Sequence, residues 1–504
     1  MSMTKTGTAV KRIFLPVAFL YLFAAAQAFS YDLEKNVHAY TLENGLRVLI
    51  LERHISPTVS LYIRHRAGAV DEISGRTGTA HFLEHLMFKG TETIGTKDYR
   101  AESKILASII EVGNALDLEK GKGDKADPRK IEALKKRLSD LQKREGSLVV
   151  KNEIDRLYTE NGGVHMNAST GHDLTSYYVS LPSNKIELWA RIESDRMMNP
   201  VFREFYSERD VIREERRQTI ESVPERMLVE QFMAAAFIAH PYRKPIIGWP
   251  SDMEYLGFDY VRDFFKMHYA PNRTVIAIVG DVSAASTMEL IRRYFGKIHS
   301  QKEPPSHITE EPKQTGERRV ELVYDANPSI AIGYHKPALP SFDDYVFDVI
   351  EVLLSRGRTS RLYSTLVERK GLAESVETAN GFPGSRYANL FAIFAAPRSP
   401  HTAQELESEI YAEIEKLKKE PVTRTELDKV KNQIRMDYLR DLDSNLGMAG
   451  KLSYYESVAG DYRYMIRHTE IIEKITPEDV MAAARKYLNR ENRTVAILNR
   501  KDTR

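Results

Sequence analysis

Three residues, His81, Glu84 and His85, have the types and spacing of a hydrolytic metal centre. Residues i and i+4 of a helix lie on one face, so both imidazoles would point to the same side. Two imidazole nitrogens at that spacing can bind one Zn²⁺ at about 2.0–2.1 Å each. Glu84 then lies close enough to accept a proton from a water whose pKa the metal has lowered. The chemistry that this pattern predicts is attack of water on a carbonyl.

Two nitrogens do not complete such a site. A catalytic zinc usually has three protein ligands and one open position, so the third ligand must come from elsewhere in the chain. The chain has no cysteine, and that ligand is therefore a histidine or a carboxylate. With 14 histidines in 504 residues, H-x-x-E-H can also arise by chance and mark ordinary histidines beside a salt-bridging glutamate. Flanking Gly78 and Gly90, and apolar residues between them, favour a packed helix and zinc.

The overall composition describes a folded protein with no strong charge bias. Of the residues, 42% are hydrophobic and 29% are charged, which excludes a mainly disordered chain. The length of 504 residues predicts two to four domains. There are 73 basic and 71 acidic residues, a net charge of +2, so nothing indicates a nucleic-acid partner.

The first 28 residues have the pattern of a secretory signal peptide. Lys5, Lys11 and Arg12 precede an apolar run, and Ala-Gln-Ala at 26–28 is a cleavage signal with the predicted cut after Ala28. The alternative is an uncleaved anchor, although the apolar run is shorter than the ~20 residues that a bilayer span needs. The predicted location is the periplasm or the exterior, with no stable membrane span after cleavage.

The rest of the chain reads as two similar halves. NRTVIAIVGD at 272–281 is echoed by NRTVAILNRK at 492–501, an offset of 220, and HFLEHLMFKG at 81–90 is matched by DVIEVLLSRG at 348–357, an offset of 267. The difference, 267 − 220 = 47, is about the length of a charged segment inserted in the first half. We therefore expect a first half at 29–302, a linker at 303–316 and a second half at 317–504.

The inserted segment, residues 104–158, has the pattern of a helical hairpin. Leu134, Leu138 and Leu141 continue an apolar seam that Ile131 begins, and GKGDKADP at 121–128 has the composition of a turn. We expect a hairpin that projects from the body. It is either a docking arm or simply a solvated pair of helices.

Several segments together resemble the pitrilysin/insulinase family of zinc metallopeptidases, whose zinc motif is the inverted H-x-x-E-H. The matching segments are GTAHFLEHLMFKGT at 78–91, GGVHMNAST at 162–170, TSYYVSLP at 175–182, SERDVIREERR at 207–217 and HPYRKPIIGWPSDM at 240–253. The resemblance implies an α+β fold of two similar halves, each a mainly antiparallel sheet with packed helices. It also implies a zinc-dependent endopeptidase with one Zn²⁺ per chain.

The resemblance assigns roles to individual residues. His81 and His85 would be zinc ligands and Glu84 the general base. The family's third ligand is a glutamate seven residues after another functional glutamate, which makes Glu215 the ligand and Glu208 its catalytic support, with Glu214 as the competing candidate.

The resemblance also identifies a substrate-binding strand. Asn167 and Ala168 would lie on an edge strand that pairs with the substrate backbone. His165 and His172 lie nearby and are expected to be strand or loop residues rather than ligands.

One feature of the family is missing. Related sites have an Arg and, seven residues later, a Tyr in the second half, but Val367 and Glu374 occupy those positions here. Asp348 and Val352 stand where a second zinc motif would have its histidines. The resemblance therefore implies a zinc-less homologous subunit that supplies the Arg/Tyr pair, or else a homodimer. The alternatives are a non-catalytic binding or assembly subunit with the peptidase fold and, more remotely, a metal-storage protein.

Overall fold

The computed structural model describes residues 33–304 and 308–501. The predicted signal peptide lies outside the described residues. Within them, no helix is both long enough and apolar enough to cross a membrane.

The first half contains a six-stranded sheet. Its strands are β1 (Val37–Thr41), β2 (Arg47–Glu52), β3 (Thr58–His65), β4 (Val164–Thr170), β5 (Thr175–Pro182) and β6 (Thr274–Gly280), in the order β1-β2-β6-β3-β5-β4. All neighbours are antiparallel except β2 and β6. Strands β1 and β2 form a hairpin that turns at Asn44 and Gly45, and Gly45 has a positive φ of 83°, which is typical of such turns.

The second half repeats this arrangement. Strands β7 (Arg318–Tyr324), β8 (Ser329–Lys336), β9 (Ala373–Phe382), β10 (Asn389–Pro397) and β11 (Arg493–Arg500) form a sheet in the order β7-β11-β8-β10-β9. The pair β7–β11 is parallel and the others are antiparallel, which is the pattern of β2-β6-β3-β5-β4. Each NRTV segment contains the first residues of a strand, β6 from Thr274 and β11 from Arg493. These two strands hold the same place in their sheets. The predicted α+β fold of two similar halves is confirmed.

Helices cover both sheets. Those whose two ends lie in the described residues are α1 (Thr79–Met87), α2 (Tyr99–Lys120), α3 (Pro128–Gly146), α4 (Glu153–Glu160), α5 (Ile186–Met198), α6 (Phe205–Arg216), α7 (Pro224–Ala236), α8 (Pro250–Glu254), α9 (Phe258–His268), α10 (Ala284–Phe295), α11 (Phe342–Ser355), α12 (Ala403–Lys419), α13 (Arg424–Asp443), α14 (Asn445–Ala459), α15 (Arg463–Lys474) and α16 (Pro477–Tyr487). A π-helical turn, Arg217–Glu221, continues α6, and another, Tyr363–Arg369, precedes β9.

The halves exchange one helix each. Helix α7 of the first half packs on β7, β8 and β11, where Phe232 and Ala236 join a core with Ala496. Helix α14 of the second half packs on β3 and β6, where Met448 and Leu452 join another core. The two helices start 445 − 224 = 221 residues apart, which fits the repeat offset. Each sheet therefore needs the other half to bury one of its faces.

The inserted hairpin exists, but it does not project. Its helices are α2 and α3, joined at 121–127, and α4 is a separate short helix. Ile109 and Leu116 of α2 and Leu138 and Leu141 of α3 are buried in one core with Phe205 of α6. The expectation of a projecting arm is wrong because the apolar seam packs on the body as well as between the two helices.

Candidate metal centre and peptide-binding edge

Helix α1 presents its polar face because its other face is buried. Phe82, Leu83 and Leu86 are 0% exposed, and at helical spacing this leaves His81, Glu84 and His85 on the opposite side. The helix starts at a fixed point, since the buried carboxylate of Glu72 accepts hydrogen bonds from the backbone N–H groups of Gly78 and Ala80, both at 2.8 Å.

Helix α6 brings the third candidate ligand to the two histidines. Glu215 Oε1 lies 3.7 Å from His81 Nε2, and Glu215 Oε2 lies 3.6 Å from His85 Nε2. One ligand atom from each of the three residues lies within 4.8 Å of the others. In a tetrahedral zinc site with bonds of about 2.1 Å, neighbouring ligand atoms are about 3.4 Å apart. The donor set and its spacing therefore fit a zinc ion.

The neighbouring glutamate, Glu214, points away from this cluster. Its carboxylate forms an ion pair with Arg217 at 2.6 Å and is 47% exposed. The structure thus separates the two candidates for the third ligand and turns Glu215 inward.

Glu208 supports the site, although it is not in the ligand cluster. It lies about two turns before Glu215 on α6, and its Oε1 accepts a hydrogen bond from His85 Nδ1 at 3.0 Å. Its Oε2 pairs with Lys89 at 2.6 Å. The bond to Nδ1 leaves His85 Nε2 free to bind a metal and fixes the ring, as outer carboxylates do in zinc sites.

Burial and these pairs shift the protonation equilibria. Burial lowers the pKa of His81 to about 4, so its imidazole is neutral and able to bind a metal. Burial raises the pKa of Glu84. It also raises the pKa of Glu215, whose carboxylate is less completely buried. Burial also acts to raise the pKa of Glu208, but the hydrogen bonds from His85 and Lys89 outweigh it, and the pKa is lowered.

The predicted substrate-binding residues, Asn167 and Ala168, lie on the edge strand of the first sheet. Strand β4 is the last strand of its sheet, and beyond it no further strand pairs among the described residues. Asn167 and Ala168 pair inward with Tyr178 and Tyr177 of β5. The strand is irregular between Val164 and Asn167, where His165 has a positive φ of 56°.

Strand β4 ends beside the candidate base. The hydroxyl of Thr170 donates a hydrogen bond to Glu84 Oε2 at 2.5 Å. His172, in the following turn, is buried and contacts the backbone carbonyl of Lys244 at 3.0 Å. The structure thus places His165 in a strand and His172 in a turn, away from the ligand cluster.

A crevice of about 410 Å³ adjoins the cluster. It runs between the end of α1 and residues 149–154, and its lining includes Glu84, His85, Phe88 and Lys89.

The corresponding position in the second half holds a different network. Asp348 accepts a hydrogen bond from Asn380 Nδ2 at 2.8 Å and contacts His468 Nε2 at 3.0 Å. Val367 is partly buried against the hydrophobic core of the second half, and Glu374 is exposed. Neither side chain is a hydrogen-bond donor at neutral pH.

Sequence reasoning missed Thr170 and Lys89. A signal existed for each, because alternation in β4 places Thr170 on the same face as Ala168, and Lys89 follows His85 by four residues. Both signals are weak without knowing which element packs opposite.

The fold is that of the insulinase family of peptidases. The family model described as "Insulinase (Peptidase family M16)" matches residues 47–113 and 149–249, and the one described as "Peptidase M16 inactive domain" matches 256–434. The chain belongs to this family. The interval between the first two matched segments, 114–148, contains the end of α2 and all of α3.

Individual relatives agree with this assignment. The chain is 27% identical over 465 residues to a Helicobacter pylori protein named "Zinc protease PqqE", covering 91% of each chain. A crystal structure of a protease from Helicobacter pylori superimposes with a TM-score of 0.77 at 26% identity, covering 92% of this chain and 99% of that one. The periplasmic protease PqqL from Escherichia coli shares the fold at a TM-score of 0.67 and 17% identity, over 92% of this chain and 48% of that one.

Proposed function

We propose that this protein is an exported zinc-dependent endopeptidase that hydrolyses peptides or small unfolded proteins. The observation that carries the proposal is that ligand atoms of His81, His85 and Glu215 lie within 4.8 Å of one another. The two histidines are on the face of α1 that also presents Glu84. A metal-storage role would leave Glu84 and the free edge of β4 without a purpose.

The residues of the site have separate tasks. A peptide adds to the edge of β4 through backbone hydrogen bonds, with Asn167 and Ala168 among its partners, and its scissile carbonyl is brought to the cluster. His81, His85 and Glu215 would hold Zn²⁺, which acts as a Lewis acid and lowers the pKa of water. Glu84 takes the proton of the attacking water and passes it to the leaving amine. Its raised pKa suits a group that must both accept and release a proton.

We also propose that the chain is the zinc-bearing subunit of a heterodimer. An oxyanion donor is worth a factor of about 10² to 10³ in rate. Val367 and Glu374 cannot supply one, and the nearby Arg369 donates instead to Thr365 Oγ1 at 2.6 Å. A zinc-less homologous subunit that carries an Arg/Tyr pair would complete the site. A homodimer would not, because both copies lack the pair.

Export to the periplasm is part of the same proposal. It rests on the signal-peptide pattern of residues 1–28, and the shared fold with a periplasmic protease is consistent with it.

The test measures zinc content and peptide hydrolysis of the purified protein, alone and with a zinc-less homologue from the same organism. We expect one zinc per chain and hydrolysis only with the partner. Glu84→Gln should keep zinc and lose hydrolysis. Full activity of the protein alone would refute the heterodimer, and a protein that binds no zinc would favour a binding or assembly subunit.

A further inference from the structure

The candidate base has one hydrogen-bond partner in the described part of the chain. The hydroxyl of Thr170 donates to Glu84 Oε2 at 2.5 Å, and no ion pair or second hydrogen bond reaches this carboxylate there. One oxygen is thus fixed by the hydroxyl, while Oε1 is left for water. Without this bond the side chain could rotate about its terminal torsion, which is broad in glutamate.

The hydroxyl is held firmly because of its place on β4. Thr170 is the last residue of the strand and pairs with Thr175 of β5. Ala168, two residues earlier on the same face, packs against the core that contains α1. As a β-branched residue in a strand, Thr170 has restricted χ1 rotation, so its hydroxyl keeps one direction.

The second half of the chain clamps the turn that follows Thr170. Asp173 Oδ2 accepts hydrogen bonds from the backbone N–H groups of Ser385 at 2.6 Å and Arg386 at 3.1 Å. Within the first half, the Tyr242 hydroxyl also donates to Asp173 Oδ1 at 2.7 Å. The approach is so close that a Cβ on Gly384 would lie 2.5 Å from Asp173 Oδ2.

The first half holds the other side of this turn. The backbone N–H groups of Ala69 and Val70 donate to the carbonyls of Gly171 and His172 at 3.2 and 2.9 Å. The turn is therefore fixed between the loop after β3 and the loop at 383–387, and the end of β4 cannot shift independently of the second half.

We propose that Thr170 is a positioning residue for Glu84, and that the loop at 383–387 of the second half keeps it in place through Asp173. The Thr170 hydroxyl orients the Glu84 carboxylate. The hydrogen bonds of Asp173 to Ser385 and Arg386, here called the clamp, hold the turn that follows Thr170 and so fix the hydroxyl. The half without a zinc motif thereby acts on the reaction of the other half. The inference rests on the proposed peptidase function.

The first experiment compares Thr170→Val with Thr170→Ser in the assembly in which the wild type is active. Thr170→Val keeps shape and removes the hydroxyl, and because general base catalysis contributes about 10²- to 10⁴-fold, we expect kcat to fall about 10- to 100-fold. KM should change less than about twofold and zinc content should stay equal, since neither the strand edge nor the ligands are altered. Thr170→Ser should restore kcat to within about threefold.

The matched control is Thr41→Val. Thr41 is the last residue of the opposite edge strand, β1, and its hydroxyl accepts a hydrogen bond from Arg47 at 3.3 Å, far from the site in the sheet. It should leave kcat and KM unchanged. An unchanged kcat in Thr170→Val, a change confined to KM, or a serine variant no better than valine would overturn the inference.

The second experiment tests the clamp with Asp173→Asn, alone and combined with Thr170→Val. If the clamp acts through the Thr170 hydroxyl, Asp173→Asn lowers kcat in the wild type and has little further effect in Thr170→Val. Independent, additive losses would overturn the clamp. A wild type with no hydrolysis that depends on Glu84 would overturn the peptidase function together with this inference. An active wild type with an unaffected Thr170→Val would overturn the inference alone.

Discussion

Arg203 and Glu102 form a completely enclosed ion pair. Arg203 Nε lies 2.7 Å from Glu102 Oε1 and Nη2 lies 3.0 Å from Oε2, and both side chains are 0% exposed. The remaining guanidinium protons go to the carbonyls of Lys89, Thr91 and Ile94 at 2.6–3.2 Å. Arg203 lies two residues before the start of α6. Its side chain thus connects the start of α2 to the loop that follows α1.

Breaking this pair should destabilise the first half strongly. Arg203→Met leaves the Glu102 carboxylate buried without its partner, which typically costs about 3–5 kcal/mol. The free energy of unfolding in urea measures the loss. Arg293→Met is the control, because it breaks an ion pair with Glu187 in which the side chains are 60% and 58% exposed. That loss should not exceed about 1 kcal/mol. Equal losses in the two variants would contradict the structural role given to Arg203.

Adjacent glutamates allow a sharp test of the third zinc ligand. Glu215→Gln should lower zinc affinity by more than the roughly 10- to 100-fold typical of changes in outer partners, since it replaces the anionic ligand carboxylate by a neutral amide. Glu214→Gln should leave the affinity unchanged, because that carboxylate pairs with Arg217 in solvent. Glu208→Gln should fall between them. Competition with a chromogenic chelator measures all three, and loss of zinc in Glu214→Gln instead would reverse the assignment.

The sequence was most informative where chemistry and periodicity coincide. His81, Glu84 and His85 follow from helical spacing, and the two NRTV segments identify strands that hold equivalent places in two sheets. The pairing of Glu215 with the histidines could be expected only from the family spacing, because nothing local separates it from Glu214. The structure separates them by the direction of the two side chains on α6.

Other features depend on contacts that no local pattern carries. The apolar seam of α2 and α3 looks the same whether the hairpin stands free or packs on Phe205, so its docking was not predictable. The exchange of α7 and α14 between the halves is likewise invisible, since an amphipathic helix does not specify which sheet it covers. The role of Thr170 likewise depends on a tertiary contact, because β4 ends beside Glu84 only in the folded chain.

The stability of the first half should fall as the pH rises through the titration of Glu145. Burial raises the pKa of Glu145 from 4.5 to about 7, and the charge of Glu102 acts in the same direction. The folded state therefore holds this proton more tightly than the unfolded state between those values, and the stability that protonation provides is lost as the pH rises to about 7. In Glu145→Gln that loss is absent. Relative to the wild type, the variant should gain up to about 3 kcal/mol of unfolding free energy between pH 5 and pH 8. Urea titrations at both pH values measure the gain, and Glu111→Gln, an exposed change on α2, should show none.

Gly113 should be intolerant of the smallest side chain, against the usual preference of helices. In most helix interiors, Gly→Ala stabilises by about 1 kcal/mol. At Gly113, however, a Cβ would lie 2.0 Å from Cζ of Tyr206, which is itself buried on α6. Gly113→Ala should therefore cost about 1–3 kcal/mol, as overpacking does. Gly146→Ala, at the end of α3 where nothing lies within 4 Å, should be neutral or stabilising. Since α6 carries Glu208 and Glu215, displacing Tyr206 should also weaken zinc binding in Gly113→Ala and not in Gly146→Ala. Equal stability and equal zinc affinity in the two variants would show that the hairpin is not packed on α6 as described.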